Sequence, residues 1–563
     1  MWEIPIKMVK KEHVFTGAAI FLLALAAGIT FQFSAFTCEY VANNDARQHI
    51  YWMRQFHDSG LFNDDLLTEF AKNYQPWGFV FLYYILSFFM DPLVLSKFLA
   101  VLLFAISSLY LFKLVSHFAG SYSGLLATLI LIITPSPFLD WMAGGHPRAF
   151  GFPLLIIFLY YLIRKKHLGT SVALVLQCLF YPMVFLLGMV TYLFTFVRFR
   201  AGRIFFNGSA AKVKFFIPTA LVCLFILCGK HLFWQNPDIG KIVTRAQMSG
   251  RPEFSVEGRS PVLPTPPLLK TAVRNVRSGT FVPNVLMKRL RDLGVKSPAA
   301  HHAVFMVFVL FTVCCLFLLR KDLVFPLEII CLLPASILMF KTADILLLKL
   351  FLPERYLQFS FPLFGLIVEA AVLGQLVLNV RRKALRRLLQ ATTVLLVLLN
   401  LNIKTTIGLT NMSSGKELYE YLAELPKDTM IAAHPETADG IPLFARRKVF
   451  VKGQLSFPFF DSYWNTIKKR TFDLFDAYYT EEPLQVYAFC EENGIDYLVV
   501  DSGHFTEEYL AGKKVYFEPF GTYIRDITAV RNRFVLQNVP QEYRLFTKGD
   551  IFVINKNMLK MLK

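Results

Sequence analysis

The segment Cys38-Glu39-Tyr40-Val41-Ala42-Asn43-Asn44-Asp45-Ala46-Arg47-Gln48-His49 brings a carboxylate, a guanidinium and an imidazole together about nine residues after an apolar run. Asp45 and His49 are four apart, so a helix here sets them on one face. An acidic side chain beside an apolar segment is costly unless it has a partner or a task. Asp58, Asp64 and Asp65 follow within the same stretch. The plain alternative is a helix cap with solvated charges.

A second segment, Thr134-Pro-Ser-Pro-Phe-Leu-Asp140-Trp141-Met-Ala-Gly-Gly-His146-Pro147-Arg148, reads as an irregular loop because it carries several prolines and paired glycines. It supplies a carboxylate, an indole, an imidazole and a guanidinium. Arg148 opens the next helix, the unfavourable end for a cation. A phosphate contact would explain its position, since guanidinium binds phosphate bidentately. The alternative is an interfacial Trp and Arg belt.

A third segment, Leu352-Pro353-Glu354-Arg355-Tyr356, offers a phosphate-binding Arg355 and an interfacial Tyr356, or a structural Glu354–Arg355 pair. Lys341, Asp344 and Lys349 just before it read as solvated. His301-His302 are adjacent, so their side chains diverge on a helix and share no ion. His434-Pro435-Glu436 and Asp501-Ser-Gly-His504 follow apparent strands, with nothing specific in the sequence to make them converge.

The elements that must position these residues are mostly apolar. Of 563 residues, 55% are hydrophobic and only 18% charged, with mean hydropathy +0.47. Soluble domains carry about 25% charged residues, and a helix needs about 20 apolar residues to cross a bilayer. The composition excludes a soluble enzyme, a disordered scaffold and a disulfide-stapled secreted domain. Eight cysteines form no CxxC or zinc spacing, and six lie in apolar runs. Net charge is +19, which in such a chain tethers loops to anionic lipid and argues against nucleic acid as partner.

Apolar helices are expected near 14–36, 76–91, 94–115, 121–137, 149–163, 168–196, 215–233, 303–319, 323–340, 357–380 and 388–409, giving about 11–12 transmembrane segments. Tyr181-Pro182 should break the 168–196 run into two short helices. Basic clusters at Lys7, Lys10 and Lys11, at Arg164 to Lys166, at Arg198, Arg200 and Arg203, at Arg320 and Lys321 and at Arg381 to Arg387 set the cytoplasmic side. The N-terminus is then cytoplasmic and reads as an uncleaved first helix. Loops 37–75, 134–148, 231–302 and 341–356 lie outside, with everything after 410. Three apolar segments stand between the first two outer loops where parity allows an even number, so one of them is re-entrant or lies flat. The 230–302 stretch carries twelve Lys/Arg against four Asp/Glu. Two glycosylation sequons, at Asn207 and Asn411, decide nothing.

From 411 to 563 the pattern becomes short amphipathic helices alternating with buried strands, a soluble α/β domain of the outer face. The expected architecture is therefore a polytopic α-helical membrane protein, residues 1–410, with a C-terminal extracytoplasmic α/β domain, residues 411–563, in the plasma (inner) membrane.

These features resemble the GT-C-type integral membrane glycosyltransferases that use polyprenyl-phosphate sugars. The resemblance rests on Asp45 after the first helix, on Gln75-Pro76-Trp77 opening the second, and on Asp140 in a Pro-rich outer loop. The break at Tyr181-Pro182, the late Arg355-Tyr356 and the C-terminal domain add to it. The Lys-Pro-Pro and Trp-Trp-Asp signatures are absent, and the subfamily is unassigned. The resemblance implies a polyprenyl-phosphate-linked sugar donor, a lipid, glycan or protein acceptor, and inversion at the anomeric carbon. It implies Asp45 as general base, with Arg148 and Arg355, joined by Arg47 or His49, on the phosphate. His146 is placed with the substrate-binding group. Asp64, Asp65 or Asp140 would orient the acceptor or bind a divalent cation such as Mg or Mn. A transporter or lipid flippase and a non-catalytic assembly scaffold are the competing classes.

Overall fold

The computed structural model describes all residues except 1–5, 201–202, 207, 234–235, 513–514, 532 and 563, and side chains except also those of 6–14, 198–200, 203–204 and 231–233. Asn207 of the first sequon, and the side chains of Lys7, Lys10, Lys11, Arg198, Arg200 and Arg203, therefore lie outside the described residues.

Each expected apolar segment contains a helix, although the last one ends at Leu398 and leaves 399–409 without helix. Among the described residues, four helices are long and apolar enough to cross a membrane by length and composition: Pro92–Ala119, Ala210–Lys230, Pro298–Leu318 and Arg355–Leu378. Ser121–Ile133 with Pro135–Met142 makes a fifth if a 69° bend is allowed within one span. The bend falls where Pro135 removes a helical amide and Ser136 leaves helical geometry. The remaining apolar helices are shorter. Pro298–Leu318 turns Val307, Leu310 and Phe317 outward, each 60% exposed or more, a surface suited to hydrocarbon and not to water. The chain is an integral membrane protein.

Of the three apolar segments between 76 and 137, Trp77–Ser87 is the shortest: its 11 residues span about 16 Å at 1.5 Å per residue, beside the 28-residue Pro92–Ala119 and the bent pair. The 168–196 run divides as expected, into His167–Phe180 and Pro182–Phe194 with extended Tyr181 between them.

Several stretches read as loops contain helices. Residues 37–75 hold Ala46–His49, Tyr51–Phe56 and Leu66–Tyr74, and the 134–148 segment holds Pro135–Met142. The 231–302 stretch carries Leu268–Gly279 and Val282–Asp292 and runs into Pro298–Leu318. The physical reason is that two-residue punctuation by Pro or Gly ends a helix without preventing the next one. Asp344 is not solvated as its context suggested: it accepts hydrogen bonds from Arg245 (3.1 Å) and Thr265 (2.8 Å).

The strands are β1 (Val41–Ala42), β2 (Val197–Arg200), β3 (Arg203–Phe206), β4 (Thr410–Asn411), β5 (Met430–Ala433), β6 (Lys448–Val449), β7 (Tyr497–Asp501), β8 (Phe546–Lys548) and β9 (Ile551–Asn555). The last five form one sheet in the order β6-β5-β7-β9-β8, parallel from β6 to β7 and antiparallel from β7 to β8. β5 and β7 sit at the centre and are almost wholly apolar, as strands covered on both faces must be. The C-terminal part is thus a sheet-containing α/β domain.

That domain is fastened to the polar segments between the membrane helices. β1 pairs antiparallel with β4, registering Val41 with Asn411. Phe70 stacks on Tyr463 at 3.8 Å, and the Trp464 indole donates to Glu253 at 2.8 Å. Arg54 donates to both Asp91 (2.9 Å) and the Leu443 carbonyl. The segments on either side of Asp45 are therefore held between the helix bundle and the sheet.

Candidate functional site

Asp45 stands at the N-terminus of the short helix Ala46–His49, in a turn shaped by Asn43. Asn43 accepts from the Asp45 amide (2.9 Å) and donates to the Gly408 carbonyl (2.7 Å). Against this turn lie Gly144 and Gly145, with φ of +79° and +55°. A Cβ on Gly144 would fall 2.5 Å from the Asn43 Cβ. Only glycine serves here, both for left-handed backbone and for the close approach. The next residue, His146, is extended, as a residue before proline prefers, and this carries His146 and Arg148 over Asp45.

The result is a compact polar group. Arg148 is 3.0 Å and His146 Nε2 3.4 Å from the same Asp45 oxygen. His49 stacks on His146 with ring centres 5.4 Å apart, and its Nδ1 meets the Gln75 amide at about 3 Å. The Arg148 and Arg355 guanidiniums both lie over the Trp141 indole, at 5.1 and 4.9 Å from its ring centre. Tyr181, the residue at the helix break, packs with Trp141 on Phe359. Three distant stretches of chain, around 45, 141–148 and 355, meet in this pocket.

Burial alone would raise the Asp45 carboxyl, but His146 through hydrogen bond and charge, then Arg148 and His49, turn the direction downward. It is ionised at neutral pH. His49 is pushed down to about 3, first by burial and then by the charge of its neighbour His146; His146 is lowered by burial and by Arg148. Burial thus disfavours the charged form of both imidazoles, while the Asp45 carboxylate, 3.4 Å from His146 Nε2, favours it. The group thus sets two guanidiniums, Arg148 and Arg355, beside the half-buried Asp45 carboxylate, with Asp140 at its edge. Paired guanidiniums of this kind suit an anion with several oxygens.

Other expected site residues lie elsewhere. Arg47 turns to the C-terminal domain, where it pairs with Asp439 (3.6 Å), while its carbonyl accepts from the buried Lys452 (2.6 Å). Asp65 is buried and caps the helix Leu66–Tyr74 through the Thr68 amide (3.0 Å) and hydroxyl (2.7 Å). Asp64 is exposed with φ +53°. Tyr356 is buried and donates to the Leu350 carbonyl (2.9 Å), while Glu354 pairs with Arg274 (2.9 Å) instead of its neighbour Arg355. Asp140 sits at the pocket's edge, within the electrostatic reach of Arg148. The residues around Asp45 do not fit a hard divalent cation: the carboxylate is taken by Arg148 and His146, and the nearest charges are positive.

Sequence reasoning passed over Trp141 as a site residue, although it was in the segment under discussion. Its spacing of seven from Arg148 was the available signal. It also treated His434 and His504 as unconnected, which is incorrect: His434, Glu436 and His504 bring ligand atoms within 4.8 Å of one another. Nothing in the sequence pairs the ends of β5 and β7, so only the sheet order reveals it.

No family model and no curated protein matches this chain. Solved structures that it resembles include the Archaeoglobus fulgidus oligosaccharyltransferase in complex with Zn and sulfate. That match has TM-score 0.46 at 14% identity, over 87% of this chain and 69% of that one. The apo form of the same enzyme gives 0.44, also at 14% identity, over 88% and 70%. The archaeal oligosaccharyltransferase AglB with an inhibitory peptide and a dolichol-phosphate gives 0.43 at 13%, again over 88% and 70%. At these scores the likeness is too loose to carry fold or activity from one chain to the other.

Proposed function

We propose that this protein is a membrane glycosyltransferase that moves a sugar from a polyprenyl-phosphate donor to an acceptor at the extracytoplasmic face. The observation that carries the reading is the ionised Asp45 beside Arg148 and Arg355, both braced on one indole. Arg148 and Arg355 bind the donor phosphate, and Trp141 holds their planes. The acceptor hydroxyl or amide attacks the anomeric carbon while Asp45 takes its proton. The sugar–phosphate bond breaks and the polyprenyl phosphate leaves with the electron pair, its charge met by the guanidiniums. Attack opposite the leaving group gives inversion.

In the resting pocket Asp45 is too well stabilised to be an effective base, because His146 and then Arg148 hold its carboxyl low. Donor phosphate competes for Arg148, loosens that ion pair and raises the basicity of Asp45 when substrate is in place. His49 and His146 stack beneath the carboxylate and keep it oriented. Residues 1–410 form the transferase body, and residues 411–563 the outer domain that recognises the acceptor. The N-terminus is cytoplasmic and the membrane is the plasma (inner) membrane.

A transporter would line a path with ionisable groups in mid-helix. Here two ionisable residues within the spans are tied to helix ends: Lys97 donates to the Ala35 and Cys38 carbonyls, and Glu369 accepts from the Phe281 and Val282 amides. The test is reconstitution with radiolabelled polyprenyl-phosphate sugars, following release of lipid phosphate by wild type and Asp45→Asn. Turnover that the variant loses supports the reading; a donor set that neither binds nor turns over sinks it.

A further inference from the structure

At the C-terminal ends of the two central parallel strands, β5 and β7, lies a second polar group unrelated to the pocket at Asp45. His434 follows β5 directly and His504 sits three residues beyond β7, in the turn Ser502–Phe505. Ala433 pairs with Val499, so the two strand ends are neighbours and their imidazoles face each other with ring centres 4.1 Å apart. The exposed Glu436 adds a carboxylate, and one ligand atom from each of the three falls within 4.8 Å of the others. Strand ends of this kind are where α/β folds bind ligands.

We propose that His434, Glu436 and His504 form a zinc site in the outer domain. Two imidazoles and one carboxylate are a donor set that suits Zn²⁺ and is poorly matched to Mg²⁺ or Ca²⁺, which require oxygen cages. A tetrahedral ion with bonds of about 2.0–2.1 Å holds its ligands about 3.4 Å apart, so a rotation of the Glu436 side chain completes the set. The imidazoles are already anchored. His434 Nε2 meets the Tyr509 hydroxyl at 3.2 Å, and that hydroxyl in turn donates to the Val515 carbonyl (2.9 Å). His504 Nδ1 meets the Tyr478 hydroxyl at 3.3 Å. Such outer contacts fix the tautomer and orientation of metal-binding histidines. His434 Nδ1 accepts the Glu436 amide at 3.4 Å, a long contact that an ion at this nitrogen replaces.

Three protein ligands leave a fourth position for water or another oxygen. Glu436 also lines a cavity of about 260 Å³ whose wall includes Arg259, Asp439 and Tyr516. The ion therefore sits at the wall of a polar cavity on the sheet domain, where it staples the ends of β5 and β7 and presents an open coordination position to an oxygen ligand of the acceptor class. The binding of the ion itself is independent of the transferase reading.

The full-length protein, untagged and in detergent, is stripped with a chelator and titrated with zinc by equilibrium dialysis and elemental analysis, then with cobalt by visible absorption. Wild type and Asp45→Asn bind one tight equivalent per chain and give the intense bands of tetrahedral cobalt. His504→Gln loses that equivalent. Glu436→Gln, whose exposed side chain leaves the fold intact, weakens it and alters the cobalt spectrum. Tyr509→Phe weakens zinc by roughly 10–100-fold, the usual effect of losing an outer contact. A chain that binds no stoichiometric zinc, or a cobalt spectrum unchanged by both Glu436→Gln and His504→Gln, overturns the site.

Discussion

Two groups in this molecule each combine one carboxylate with two imidazoles. At the membrane face, Asp45 lies with His49 and His146; at the end of the sheet, Glu436 lies with His434 and His504. Both contain stacked or tilted imidazoles, and in both burial disfavours the charged form of the imidazoles. They differ in their neighbours. The first has Arg148 in contact with its carboxylate and Arg355 across the same indole, so an approaching phosphate is favoured and a cation is repelled. The second is enclosed by tyrosine hydroxyls and aromatic rings and has no cation among its hydrogen-bond partners in the described residues. The same donor set is thus turned toward an anion or toward a metal ion by the charge next to it.

The largest test of that contrast is at Asp45. Asp45→Asn keeps the size and loses the charge; transfer activity should fall by roughly 10²–10⁴-fold, the span of a general base, while zinc binding at the sheet is untouched. An active Asp45→Asn enzyme breaks the comparison at its first term.

Arg148→Lys and Arg355→Lys keep a positive charge and lose the planar fork and its stacking on Trp141. Each should cost roughly 10²–10³-fold in transfer if it meets leaving-group charge, with Arg148 the larger because it also touches Asp45. Equal rates in a single-turnover assay would show that neither guanidinium faces the phosphate.

Gly144→Ala changes no charge. It puts a side chain at φ +79° and 2.5 Å from the Asn43 Cβ, so it should destabilise by about 1–3 kcal/mol and displace the turn that presents Asp45. Thermal unfolding in detergent reads the first effect and activity the second.

The acid limb should be shared by both groups. His49 and His434 are lowered in the folded chain, so the unfolded chain binds more protons below its ordinary value near 6.5. Their contribution to stability is complete above about pH 6.5 and is lost as pH falls, for His49 down to about 3. Unfolding temperature should therefore drop between pH 7 and pH 5, and His49→Gln should flatten that slope. The smallest effect belongs to Asp64→Asn: exposed and outside both groups, it should change stability by no more than about 0.5 kcal/mol and leave transfer unaltered.

Much of the architecture was legible from the chain alone. Apolar runs gave the helices, because hydrocarbon-facing segments carry their environment in their composition. Tyr181-Pro182 gave the break in the 168–196 run, because proline removes the amide the helix needs. The polar segments at 45, 140–148 and 355 stood out as expensive exceptions in an apolar sequence. Helix ends inside the polar stretches between apolar runs were less readable, since Pro and Gly mark where a helix stops and are silent on where the next begins.

The sequence by itself determined the membrane helices, the sheet domain and the residue types able to do chemistry, because each depends on local composition and period. Tertiary structure alone decided which of those residues meet. Arg148 and Arg355 are more than two hundred positions apart and share Trp141 only because two helix ends face each other. Arg47, two residues from Asp45, turns away to Asp439 because the sheet domain packs on that side of the short helix. His434 and His504 meet because β5 and β7 are neighbours in the sheet. Proximity in these cases is set by packing between distant elements, and no local spacing encodes it.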